Sequence, residues 1–406
     1  MRMKDNLAGW RMVMIGFLAQ NCAMCLLGGS YATALGAIQQ ELNISRALAS
    51  SAVAITFLAI GLCSPFVGAL INRFALRDIT TAGAALGAVG FAMASYTTDY
   101  RVFLGAFAFL VGPGCCLLGV LPTTTLVTRW FEKDRGKALA IANAPFFILI
   151  APPIAALLVE KGGRSLLLLV LALVFASIVP ALRRIADWPP DADGGRDGRI
   201  KEAGALSAQS ILSTGQILKD GRIWMLSVAA GILTGAGTSF ATHIVSIGTG
   251  RGIDLSLAAT LLSAFGGGTL IGAAIFGWLI DRIGAFYSMM INAGCQAALW
   301  LSLYYLTDFG PIMAASAMLG MCSGTVVALH SSGIYALVGN ASFSKAMGIS
   351  YFLKVPFLFS IAPLSGHLFD IFGDYGAATL TSSALLAISA ILIIFAALGQ
   401  SQRARV

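Results

Sequence analysis

A dozen apolar blocks, separated by short polar turns, constrain this chain more than anything else in it. They run over residues 9–36, 47–72, 79–98, 101–128, 137–160, 164–184, 221–249, 255–280, 286–306, 310–337, 344–371 and 374–398, numbered here as spans 1 to 12. Each holds about 20 residues or more, enough to cross a hydrocarbon core as a helix. Composition closes the soluble alternative. Of 406 residues, 58% are hydrophobic and 11% charged, with a mean hydropathy of +0.85, whereas soluble domains carry about 25% charged residues. A soluble chain of this length would divide into domains with polar surfaces, and the residues for such surfaces are missing. The predicted fold is an all-α membrane protein of twelve transmembrane helices in two six-helix, pseudo-symmetric halves.

Short connections impose an up-and-down order, and an even number of spans puts both termini on one side. Positive charge chooses that side. With the termini in the cytoplasm, 20 of the 26 Lys and Arg residues lie on the cytoplasmic face. Arg46, Arg101, Lys161, Arg164 and Arg251 lie on the other, and Lys354 lies inside span 11. The expected location is therefore the cell's inner (plasma) membrane, multi-pass, with cytoplasmic N- and C-termini. The net charge of +8 follows from contact with anionic headgroups of the lipid bilayer, and no nucleic-acid partner is needed to explain it. The first apolar stretch is too long for a signal-peptide core and reads as a retained helix. The seven cysteines all fall within spans, without metal spacing. They read as small apolar residues, and neither metal nor cofactor is expected.

The longest polar segment, 185–220, is rich in Pro, Gly, Asp and Arg and suits a cytoplasmic linker. It divides the chain into 1–184 and 221–406, each with six spans. The halves repeat. GALINRFALR (68–77) follows span 2, and GWLIDRIGAF (277–286) follows span 8, the second span of its half. Both fit Gly-x-x-x-(Asp/Asn)-Arg. A weaker echo, GHLFDIFGDY (366–375), follows span 11. Internal repeats at matching positions are how many transporter folds are built.

These motifs resemble the Gly-x-x-x-Asp-Arg-x-Gly signature of the major facilitator superfamily of secondary transporters. The first copy departs from it: Asn72 replaces the acid and Ala75 the second glycine, while Arg73 and Arg77 remain. The second copy, with Asp281, Arg282 and Gly284, is intact. The resemblance implies that these residues form a conformational switch, weighted toward the second half, where opposite charges can bridge the halves. WFEKDRGKALAIA (130–142), GWRMVMIGF (9–17), ELNISRA (41–47), THIVSIGTGRGID (242–254) and PLSGHLFDIFGDY (363–375) are similar to the monocarboxylate transporter and oxalate:formate antiporter-like branch. That branch implies a carrier of small organic anions, by proton symport, exchange or facilitated passage, and a monomer is the expected assembly.

Lys354 stands in ISYFLKVPFLF (349–359). It lies ten residues into span 11, roughly 15 Å deep at 1.5 Å per residue. A charged Lys at a helix centre costs about 2.5–3.5 kcal/mol even on the gentler insertion scales, so it should face protein or a water-filled cavity. All 18 acids fall in loops or at helix ends, so no fixed acid is expected beside it. An anionic substrate is the simplest counter-ion. The structural alternative is a neutral Lys bonded to backbone carbonyls. The resemblance favours the first, because in the oxalate/formate-type branch a helix 11 lysine is associated with carboxylate binding. The second basic residue expected in span 8 for dianion carriers is absent, which favours a monoanion.

Ser350 and Tyr351, at i−4 and i−3, share a face with Lys354, and their hydroxyls can donate to a carboxylate. Pro356 removes a backbone donor beside the site. His330 in span 10 and His243 in span 7 can each supply a donor or carry a coupled proton, or be ordinary buried histidines. Gln20 and Asn21 in span 1 either line the cavity or join helices. GPG (112–114) and PTTT (122–125) mark span 4 as irregular, and Asn143 is a weaker candidate in span 5.

An intramembrane enzyme is a poor rival. His330-Ser331-Ser332 is its one suggestive cluster, yet adjacent helical residues do not face each other, and no midplane acid orients the imidazole. A drug exporter of the same fold would need an intramembrane acid for cationic drugs.

Overall fold

The computed structural model describes residues 2–131, 135–189 and 212–403. Residues 190–211 of the expected linker, residues 132–134 of the span 4 motif and the side chain of Asn72 lie outside the described set. The described residues form helices and their connections. Among the described residues, ten helices are long and apolar enough to cross a membrane by length and composition. One of these, Phe147–Leu182, has 36 residues, about 54 Å of helix against a core of about 30 Å. It is two spans, because Gly162 (φ −152) and Gly163 (φ 64) leave the helical region within it. Ala285–Tyr305, 21 residues, supplies the remaining span. The twelve expected spans are thus accounted for among the described residues.

The chain falls into two compact units, Met1–Asp191 with Ala241–Gly266, and Ala192–Phe240 with Gly267–Val406. In the first, span 3 (Leu76–Tyr96) approaches span 4 backbone to backbone, since a Cβ on Gly114 would lie 2.7 Å from the nitrogen of Gly87. Phe91, Phe103, Phe107 and Phe175 interlock edge-on or tilted, with centroids 4.9–6.0 Å apart. Beside them Arg164, 3% exposed, holds Glu41 through its Nε at 3.0 Å and donates to the carbonyls of Ala94 and Thr97. A buried guanidinium is tolerated only when its donors are met in this way.

In the second unit, the part of span 8 (Leu255–Ile283) from Gly267 onward packs on span 10 through Gly268 and Gly272. A Cβ on either would reach 2.0 Å from the carbonyl oxygens of Ala317 and Met321. Small residues allow such approach where no hydrophobic driving force separates helix from lipid.

The fourth span of each half is broken at a glycine. Span 4 passes from a π-helical segment, Phe107–Val111, into Gly112–Leu118. It stops at Gly119 (ψ −130) and resumes over Val120–Trp130. Span 10 stops after Phe309–Ser323 and resumes at Val326, with Gly324 and Thr325 between. At the break the Cys322 carbonyl accepts from Asn292 Nδ2 at 2.9 Å and from Thr325 Oγ1 at 2.8 Å, as lipid-embedded backbone requires. Gly339 (φ 67) then separates span 10 from span 11, which runs to Phe372.

Candidate functional site

Within the second unit, spans 7, 10 and 11 bring five polar side chains together. Span 7 is the helix Gly221–Gly250, and its Gly231 and Gly235 face span 11 directly. A Cβ on Gly231 would lie 3.3 Å from the Cα of Lys354, and one on Gly235 2.7 Å from the Phe357 carbonyl. Both contacts hold the Lys354 segment tight against span 7. The Lys354 residue is 3% exposed, and Ser227, His330 and Ser350 are 0% exposed.

Ser350 is the hub. Its Oγ lies 2.7 Å from His330 Nε2 and 2.5 Å from Ser227 Oγ. Ser227 in turn donates to the carbonyl of Ile223. Tyr351, half-exposed, offers its ring to two neighbours. Lys354 Nζ sits over it, 4.8 Å from the centroid, a cation–π contact. The His330 ring meets it edge-on at 6.2 Å. Among the described residues of this unit, no carboxylate forms an ion pair with Lys354. The expected trio of Lys354, Ser350 and Tyr351 is therefore joined by His330, while the Ser350 hydroxyl is already bonded within the protein. Ser227 was not anticipated. One serine in WMLSVAAG carries no spacing or charge signal, and only the packing of span 7 on span 11 reveals it.

Gln20, Asn21 and His243 belong to the first unit. Asn21 sits at the start of a π-helical segment, Asn21–Leu26, and reaches a break in span 5. Its Nδ2 donates to the Ala144 carbonyl at 3.0 Å, and its Oδ1 accepts from the Phe147 amide at 2.8 Å. Span 5 is not continuous from residue 137 as expected: one helix covers Arg135–Ala142 and the next starts at Phe147. Pro145 explains this, since the residue before a proline is driven from the helical region. Asn21 thus joins helices by meeting backbone groups that the break sets free. Gln20 Oε1 and Asn143 Oδ1 are buried with no hydrogen-bond partner among the described residues. His243 is 1% exposed.

The two motif copies differ in their surroundings. Arg73 and Arg77 are exposed, and Arg77 lies 3.9 Å from Asp78. Asp187, in the segment read as a linker, meets the turn that follows span 2. Both its carboxylate oxygens accept from the Leu76 amide at 3.1 Å, at the N-terminus of span 3, where negative charge is favoured. The same carboxylate pairs with Arg129 at 3.1 Å. In the second copy Asp281 and Arg282 are exposed, and Arg282 stacks on Trp278 at 5.0 Å. Gly284 has φ 82 and begins span 9.

The sequence profile of the Major Facilitator Superfamily matches residues 16–355. Monocarboxylate transporter 12 of Rattus norvegicus is 25% identical over 375 residues, covering 84% of this chain and 76% of that protein. YcxA of Bacillus subtilis (strain 168), an uncharacterized MFS-type transporter, is 25% identical over 329 residues, covering 77% and 76%. Among solved structures, the peptide transporter POT superposes with a TM-score of 0.74 at 14% identity, over 95% of this chain and 94% of that one. At that identity the likeness is one of fold alone.

Proposed function

Since the chain belongs to the Major Facilitator Superfamily of membrane transporters, we propose that it carries a small organic monoanion by alternating access, with Lys354 as the fixed charge that holds the carboxylate. One observation carries this reading: a 3% exposed lysine with no ion-paired carboxylate among the described residues of its unit. A lone charge in a low-dielectric site attracts an opposite mobile charge far more strongly than it would in water. Tyr351 lies beside it to donate a hydroxyl. The names of relatives such as monocarboxylate transporter 12 support the same substrate class. Exporters of cationic drugs would need an acid where this cluster presents a lysine.

The distribution of Lys and Arg supports an inner (plasma) membrane location with cytoplasmic termini, and a monomer suffices for a site assembled within one chain. Asp281 and Arg282, with Arg73 and Arg77, act in the conformational switch and not in substrate binding. The test is uptake into proteoliposomes over a panel of labelled small carboxylates, with and without a pH gradient. Saturable uptake of a monocarboxylate, inhibited by other monocarboxylates and lost in Lys354→Ala, is expected. Saturable transport of neutral or cationic solutes alone would refute it.

A further inference from the structure

Hydrogen-bond bookkeeping fixes the tautomer of His330. Ser227 has one hydroxyl hydrogen, and it goes to the carbonyl of Ile223 at 2.5 Å. The contact between Ser227 and Ser350 must therefore run from Ser350 to Ser227. With that hydrogen committed, Ser350 can only accept from His330, so His330 Nε2 carries a hydrogen and donates it. A neutral imidazole protonated at Nε2 keeps a lone pair on Nδ1. That nitrogen is buried and has no hydrogen-bond partner among the described residues.

Spans 7 and 11 face this ring. Span 7 contributes Ser227, which does not titrate. Span 11 contributes Ser350, Tyr351 and Lys354. Tyr351 turns its ring to the imidazole, which meets it edge-on. Lys354 shares the Tyr351 ring with His330. A second positive charge beside the ammonium is unfavourable in a low-dielectric pocket. A carboxylate bound at Lys354 removes that obstacle.

We propose that His330 Nδ1 is a conditional proton site: it takes a proton from water once a bound anion has cancelled the charge of Lys354, so that the two are carried together. The order is anion first, proton second. No bond other than the new N–H forms, and the charge added by the anion is balanced by the proton. The proposal rests on the reading of Lys354 as the partner of the anion, and it adds a second residue with a separate role.

Purified protein in weakly buffered detergent solution, with a pH-indicator dye, tests it directly. Potassium lactate is the probe, added at saturating concentration between pH 6 and 7.5, with binding measured in parallel by radiolabel. The wild-type protein should take up roughly one proton per bound anion, since an imidazole binds a single proton in this range. His330→Gln keeps an N–H for Ser350 but has no basic nitrogen. At lactate concentrations that saturate it, whatever its affinity, the variant should bind the anion and take up no proton. In proteoliposomes the same variant should retain lactate exchange and lose accumulation driven by a pH gradient. Proton uptake that persists in His330→Gln, or wild-type binding without proton uptake, would overturn this proposal while leaving Lys354 as the anion's partner. Loss of lactate binding in His330→Gln at every concentration would overturn it as well, since the histidine would then be needed to hold the anion and not to take the proton. Normal lactate binding by Lys354→Ala would instead overturn the reading of Lys354, and this proposal with it.

Discussion

Ala75 and Gly284 occupy the same place in the two copies of the repeated motif, and their backbones take opposite signs of φ. Ala75 has φ −70 and ψ 139, and Gly284 has φ 82 and ψ 167; each precedes the first helical residue of the following span. Alanine is at ease in the first conformation, whereas the second is essentially reserved for glycine. The missing glycine of the first copy is thus matched by its geometry. Gly284→Ala should cost about 1–3 kcal/mol, and Ala75→Gly no more than about 1 kcal/mol through the unfolded chain. Thermal unfolding of the two purified variants in detergent compares them, and equal midpoints would contradict the assignment.

Asp187 ties the N-terminus of span 3 to Arg129 on span 4. Its side chain is 23% exposed and that of Arg129 13%, so water screens the pair only in part. Asp187→Ala removes a helix cap and leaves Arg129 without this partner. A loss of about 1–2 kcal/mol is expected from the cap alone, read as a lowered unfolding midpoint. Asp78→Ala, which removes a carboxylate 52% exposed on its side chain, should shift the midpoint much less. A larger effect at Asp78 than at Asp187 would show that the cap has been misjudged.

Asp281 is exposed at the end of span 8. Asp281→Asn should slow transport while substrate affinity stays within a few-fold of wild type. Initial uptake rates and equilibrium binding, measured on one preparation, separate the two effects. A collapse of affinity with an unchanged conformational balance would remove Asp281 from the switch.

Gly235 meets the backbone of span 11, where a Cβ would approach the Phe357 carbonyl to 2.7 Å, while a Cβ on Gly348 would meet nothing within 4 Å. Backbone cannot yield as a side chain does. Gly235→Ala should therefore destabilise the second unit by about 1–3 kcal/mol. Gly348→Ala should be neutral or stabilising by up to about 1 kcal/mol, as expected for alanine inside a helix. Unfolding midpoints and folded yield after detergent extraction check both, and a stable Gly235→Ala would argue that spans 7 and 11 are held less closely.

The spans themselves were legible because lipid demands long apolar segments, and the turn between spans 5 and 6 was bracketed by apolar blocks on either side of Gly162 and Gly163. Lys354 stood out because one charge in an apolar run has no ordinary explanation. The break in span 5 went unread although Pro145 marks it, since hydropathy continues across residues 143–146. Ser227 and Asp187 went unread for a different reason. Each has a partner more than a hundred positions away along the chain, and neither carries a local pattern that reports such a contact. Asn21 was visible as a polar residue in span 1, but its choice between lining a cavity and joining helices was set by a break in another span.

The central claim is that Lys354 exists to hold an anion, and equilibrium binding of a labelled monocarboxylate to purified Lys354→Ala tests it most directly. The variant should fold with an unfolding midpoint no lower than that of wild type, because a charge costly to bury has been removed. It should bind no carboxylate, and carboxylates should give it no thermal stabilisation. Lys354→Arg should retain partial binding, its flat fork carrying the same charge in a different shape. Near wild-type carboxylate affinity in Lys354→Ala would contradict the account.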